Sequence, residues 1–168
     1  MALKQVSIFI AATLIVVIEI TLISTVWMFA PSVMHNPAGY LINQALFYAF
    51  FAALVTGIIM LVVGLPTYFV LDYKGKSSQS NLALVGAIIP VVIFFFIMLV
   101  TSSVGNGTYS SGQNYYGTYR EMVVDNERTL WGWISVIEQF ITYSIYGLIG
   151  AITFGKAISV IEARHKNT

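Results

Sequence analysis

The sequence predicts an all-α fold: an integral membrane four-helix bundle forming one domain over residues 1–168, with both termini cytoplasmic and one substantial outer loop between the third and fourth helices. Three observations predict it. Hydrophobic residues make up 58% of the chain and charged residues only 9%, against roughly 45–50% and about 25% in ordinary soluble domains. Four stretches are each long enough to cross a bilayer core of about 30 Å, which takes roughly 20 apolar residues of helix. Lys and Arg gather on one side of those stretches. Eight Lys+Arg against seven Asp+Glu leave a net charge of +1, which argues against nucleic acid as a partner. The chain has no Cys, so disulfides, thiolate metal sites and cysteine nucleophiles are excluded.

The first helix is expected from about Val6 to Ala30, ending at Pro31. It exceeds the apolar core of a signal peptide and lacks a small-x-small cleavage pattern, so it reads as a retained span. Pro31, Pro37 and Gly39 mark a turn-rich first outer loop that also carries His35. The second helix is expected from about Asn43 to Leu71, with a kink at Pro66; the third runs from about Leu82 to Thr101, with a kink at Pro90. The fourth is expected from about Leu130 to Val160. Lys4, Lys74, Lys76, Lys156, Arg164 and Lys166 fall on one side of these spans and only Arg120 and Arg128 on the other. Positive charge stays inside, so the termini and the Asp72–Ser80 loop are assigned to the cytoplasm. Trp27, Trp131 and Trp133 then sit together at the outer interface.

The outer loop, residues 102–129, is the only sizeable exposed segment. Its Gly-, Ser- and Tyr-rich first half reads as irregular loop. Its second half sets Met122, Val123, Leu130 and Trp133 near one helical face, which predicts a short helix on the membrane surface. Asn106-Gly107-Thr108 matches a glycosylation acceptor, relevant only in a secretory route. Glu121, Asp125 and Glu127 alternate with Arg120 and Arg128, the pattern of a solvated charged face.

The fourth helix carries Gly147, Ala151, Gly155 and Ser159 at four-residue spacing. Such a ladder lets another helix backbone approach closely, and that packing replaces the missing hydrophobic drive in lipid. Gly57 and Gly64 on the second helix are the expected complement.

Two acids stand where lipid disfavours them. Glu19 lies roughly 9 Å from the outer boundary and Glu138 roughly 12 Å, counted at about 1.5 Å per residue. Each costs about 2.5–3.5 kcal/mol at such depth unless it faces protein or water. Ser135, Gln139, Thr142 and Tyr146 form a polar stripe around Glu138, whereas the helical neighbours of Glu19 are apolar. The pair is therefore expected to meet. It can serve as a structural hydrogen bond, an assembly contact, or a protonatable transport site.

No phosphate loop, zinc motif, haem histidine pair or nucleophile with a base is visible. No cofactor, metal or catalysis is expected. The expectation is a non-enzymatic accessory, assembly or immunity-type protein of a bacterial inner membrane. It would bind another membrane protein, or a second copy, through its helices and outer loop. The alternative is a small oligomeric proton-linked transporter or channel using Glu19 and Glu138.

Overall fold

A computed structural model describes residues 2–29, 38–102 and 108–166. The helices are α1 (Ala2–Phe29), α2 (Ala38–Ile59), α3 (Leu65–Tyr73), α4 (Gln79–Ser102) and α5 (Leu130–Lys166); three strands, β1 (Ser111–Tyr115), β2 (Thr118–Val124) and β3 (Glu127–Arg128), lie between α4 and α5. Among the described residues, four helical stretches are long and apolar enough to cross a membrane: Val6–Phe29, Leu41–Tyr73, Gln79–Val100 and Leu130–Arg164. Their order matches the expected spans. The chain divides into two compact units, Met1–Gly86 with Leu148–Thr168, and Ala87–Gly147.

In the first unit, Ile8, Ala12, Val16 and Ile20 form a buried stripe on α1 at four-residue spacing, while Ile10, Leu14, Ile18 and Leu22 are exposed. Val16 and Ile20 of the stripe face α5, where a Cβ on Gly150 would lie 3.2 Å from Val16 Cγ1. Aromatic edges join α1 to α3 and α3 to α5. Phe9 meets Tyr68 at 5.5 Å and Phe69 at 4.8 Å, and Tyr68 meets Phe154 at 5.4 Å. At the other end of α1, Phe29 packs on Tyr48 of α2.

Before Pro66, where the sequence suggests a kink, the helix is locally widened. Residues Met60–Gly64 make one π turn between α2 and α3, and the Leu65 N–H donates to Met60 O, five residues back. Proline has no N–H and crowds the carbonyl one turn earlier, so the chain widens by a residue and continues. Helix α3 then ends in a Schellman motif. Gly75 takes a φ of 63°, its N–H donates to Asp72 O, and the Lys76 N–H donates to Leu71 O. Ser78 caps α4 by accepting from the Asn81 N–H.

In the second unit, Phe94 of α4 packs edge-on against Phe140 of α5 at 5.1 Å. The outer segment departs from expectation. Irregular loop followed by a surface helix is replaced by an antiparallel sheet of order β1-β2-β3. Tyr116 and Gly117 join β1 to β2 with φ of 49° and 79°, and Asp125 and Asn126 join β2 to β3 with 48° and 69°. Two central residues at positive φ mark the type I′ turn, whose twist suits a hairpin. A bulge between Ser111 and Gly112 leaves Met122 as the extra residue, and Met122 is buried.

Candidate functional site

The sheet is fastened to the start of α5. Thr129 caps that helix: its Oγ1 accepts from the Gly132 N–H at 3.1 Å and donates to Glu121 O at 2.6 Å. Its N–H donates to Met122 O at 3.0 Å. Gly132 is buried, and a Cβ there would collide with the Met122 carbonyl. The bulge and the glycine thus fit one another. Farther along, Arg120 of β2 lies 4.4 Å from the ring centre of Trp131, whose other neighbour is the Tyr115 ring.

Glu138 is the anchor of this arrangement. The Tyr115 hydroxyl donates to its Oε2, and the Tyr116 hydroxyl donates to its Oε1 at 2.6 Å. Each carboxylate oxygen therefore accepts one charge-assisted hydrogen bond from the hairpin. The bond to Glu138 pushes the Tyr115 hydroxyl up to about 12 from its usual 10.0, with burial and the carboxylate's charge adding. The same bond raises Tyr116. In the polar stripe, Gln139 Nε2 donates to Ser135 Oγ at 3.3 Å. Thr142 and Tyr146 are half-buried on the same helix.

A cleft of about 530 Å³ runs between the sheet, α4 and α5 within the second unit. Phe94, Ile97 and Met98 line it from α4; Ser135, Val136 and Gln139 line it from α5. Met122, Val123 and Arg128 close it from the sheet side.

Glu19 belongs to the first unit, and its surroundings are unlike those of Glu138. Its Oε2 is buried and has no hydrogen-bond partner, and the Thr13, Thr21 and Thr25 hydroxyls on α1 share that condition. The small-residue ladder is divided among neighbours. Gly150, one turn from Gly147 and next to Ala151, faces Val16 and Ile20. Gly155 receives the head of α4, with 3.0 Å between a built Cβ and either Gln79 Oε1 or Leu82 Cδ1. Gln79 Nε2 also donates to Ile152 O at 2.8 Å. Ser159 is exposed and donates to Lys156 O. The expected complement on the second span is corrected: Gly57 faces nothing within 4 Å, and Gly64 meets only Ile59 and Met60 one turn back.

Pro31, His35, Asn106 and Gly107 lie outside the described residues. Among the described residues no three His, Asp or Glu side chains gather closely enough to hold a metal ion. Sequence reasoning missed Tyr115, Tyr116, Thr129 and Gln79. Their roles depend on the hairpin and on the docking of α4, and neither Tyr116-Gly117 nor Asp125-Asn126 is the Asn-Gly or Asp-Gly pair that marks such turns in a sequence. Compared with known proteins, the chain matches no protein-family profile, no curated protein and no solved structure.

Proposed function

We propose that the chain is an integral membrane protein of a bacterial inner membrane. Its termini are cytoplasmic, its sheet is outside, and it is a non-enzymatic accessory or assembly partner of another membrane protein. The six-to-two distribution of Lys and Arg supports the orientation. The most apolar windows of Leu41–Tyr73 and Gln79–Val100 have none of their residues buried within the protein, so their sides call for lipid or a partner.

The observation that carries the partner reading is the anchored sheet. Glu138 and Thr129 fix it at two points, while Tyr109, Tyr116 and Tyr119 remain 60%, 81% and 69% exposed. Tyrosine offers a large amphipathic contact area at small entropic cost when its backbone is already ordered. Purification in mild detergent from native membranes tests the reading. A stoichiometric partner held by the wild type and lost with Tyr119→Ala is expected. Recovery of homo-oligomers alone, with no other protein, would sink it.

A second reading, a proton-linked transporter, is favoured by the unpartnered carboxylate oxygen of Glu19. Glu19→Gln keeps the shape and removes the titratable proton. Under this reading the variant folds, and pH-dependent flux in proteoliposomes vanishes. Absence of flux from the wild type would remove it.

A further inference from the structure

We infer that the cleft between the sheet, α4 and α5 is a lipid site: it holds one anionic glycerophospholipid of the outer leaflet, with the phosphate at Arg128 and acyl chain on the α4–α5 floor. The inference rests on the membrane reading above, because the spans set the depth of the cleft. Phe94, Ile97 and Met98 occupy the last turns of the span Gln79–Val100. Ser135, Val136 and Gln139 occupy the opening turns of the span Leu130–Arg164. Both walls belong to the same end of their spans, and the sheet roofs that end. The cleft therefore lies where the spans meet the sheet, with apolar and polar side chains both in its lining. A molecule filling it needs an apolar length joined to a polar head.

Size and chemistry agree with that. The volume of about 530 Å³, within the roughly 300–1,000 Å³ of small-ligand sites, takes the glycerophosphate head and the start of one acyl chain, and the rest of the lipid stays in the bilayer. Phe94, Ile97 and Met98 of α4 and Val136 of α5 make an apolar floor, Met122 adds an apolar side chain from the sheet, and the two methionines adapt to a chain of variable shape. Ser111 and Gln113 from the sheet side and Ser135 and Gln139 from α5 add uncharged hydrogen-bonding groups.

Arg128 is the one charged side chain in the lining. Register explains why. Arg128 stands opposite Val123, which also lines the cleft, whereas Glu127 stands opposite Val124, and alternation sends that pair to the other face. The pleat thus separates the cation from its acidic neighbour. Arg128 also lies 5.9 Å from the Trp133 ring centre, an interaction that uses none of its five N–H donors. A planar guanidinium with free donors at an interfacial cleft matches a phosphodiester.

The experiment uses the purified full chain in a non-ionic detergent with equal amounts of dioleoyl-phosphatidylglycerol and dioleoyl-phosphatidylcholine. Native mass spectrometry then counts retained lipids. The wild type should retain one phosphatidylglycerol in preference to phosphatidylcholine by about tenfold, because both offer Arg128 a phosphodiester and only phosphatidylcholine brings a choline cation beside the guanidinium. Arg128→Gln should abolish the preference, and Arg128→Glu should reverse it, an outcome that unfolding would not produce. Arg120→Gln should leave it intact, since Arg120 stacks on Trp131 and does not line the cleft. Equal retention of both lipids by the wild type, or an unchanged preference in Arg128→Glu, overturns the lipid site. Alkaline extraction of membranes separates the two failures. A chain released by it loses the membrane reading, whereas a chain that stays embedded without lipid selectivity loses only this inference.

Discussion

At the residue scale, the fate of Glu138 is decided by two phenols. A carboxylate in a span needs donors, and Tyr115 and Tyr116 supply one to each oxygen. Consecutive residues of a strand point to opposite faces, yet these two reach one carboxylate because Tyr116 already turns at a φ of 49°. The turn is therefore part of the acid's environment. Tyr115→Phe and Tyr116→Phe should each speed amide exchange in β1 and β2 while leaving the helices unchanged, as hydrogen-exchange mass spectrometry would show. The pH response has a definite sign. Tyr115 is raised in the folded state to about 12 from 10.0, so its contribution is complete below pH 10 and is lost as pH rises through about 12. A tyrosinate absorbance titration should show a late-titrating phenol that Glu138→Ala returns to the ordinary range. An unchanged titration in that variant would mean that the bond does not hold the hydroxyl.

At the scale of elements, close approach is what Gly150 and Gly155 provide, each to a different neighbour. Gly155 accommodates the Gln79 side chain, which donates to a carbonyl of α5. A leucine there fills that space, and overpacking costs roughly 1–3 kcal/mol. Gly155→Leu should lower thermal stability in detergent accordingly. Gly57 meets nothing within 4 Å, so Gly57→Ala should raise stability by about 0.4–1 kcal/mol through the unfolded chain. Thermal denaturation of the two variants side by side checks both, and equal shifts would contradict the assigned contacts. The helices were legible because continuous apolar runs admit one conformation in lipid. The sheet was not, because seven residues of β2 are too few to separate a period of 3.6 from one of 2. Met122 and Val123 fit a helical face equally well, and the I′ turn pairs at 116–117 and 125–126 are what break the tie. Glu138 was legible as an acid needing partners. Its partners were not, since they arrive only once β1 folds back. Gly57 shows the same limit, because small residues mark a surface fit for approach without saying which helix approaches.

At the scale of the whole molecule, orientation is the property on which the rest depends. Positive charge sets it, and the structure supplies positions at which to probe it. Ser78 caps α4 and Ser111 lines the cleft, so neither is free to be altered. Asn114 is exposed on β1, and Ser80 is exposed in the first turn of α4. The chain has no cysteine, so each position can carry a single thiol on a clean background. With a membrane-impermeant maleimide, Asn114→Cys should react in intact cells and Ser80→Cys only after permeabilisation. The reverse pattern would place the sheet in the cytoplasm. Arg128 would then face inner-leaflet headgroups, and the exposed tyrosines would meet a cytoplasmic partner in place of an external one. A lipid-selective cleft would survive that inversion, because its walls keep the same depth in the bilayer. The proposed outer contact surface would not survive it, so labelling separates the two.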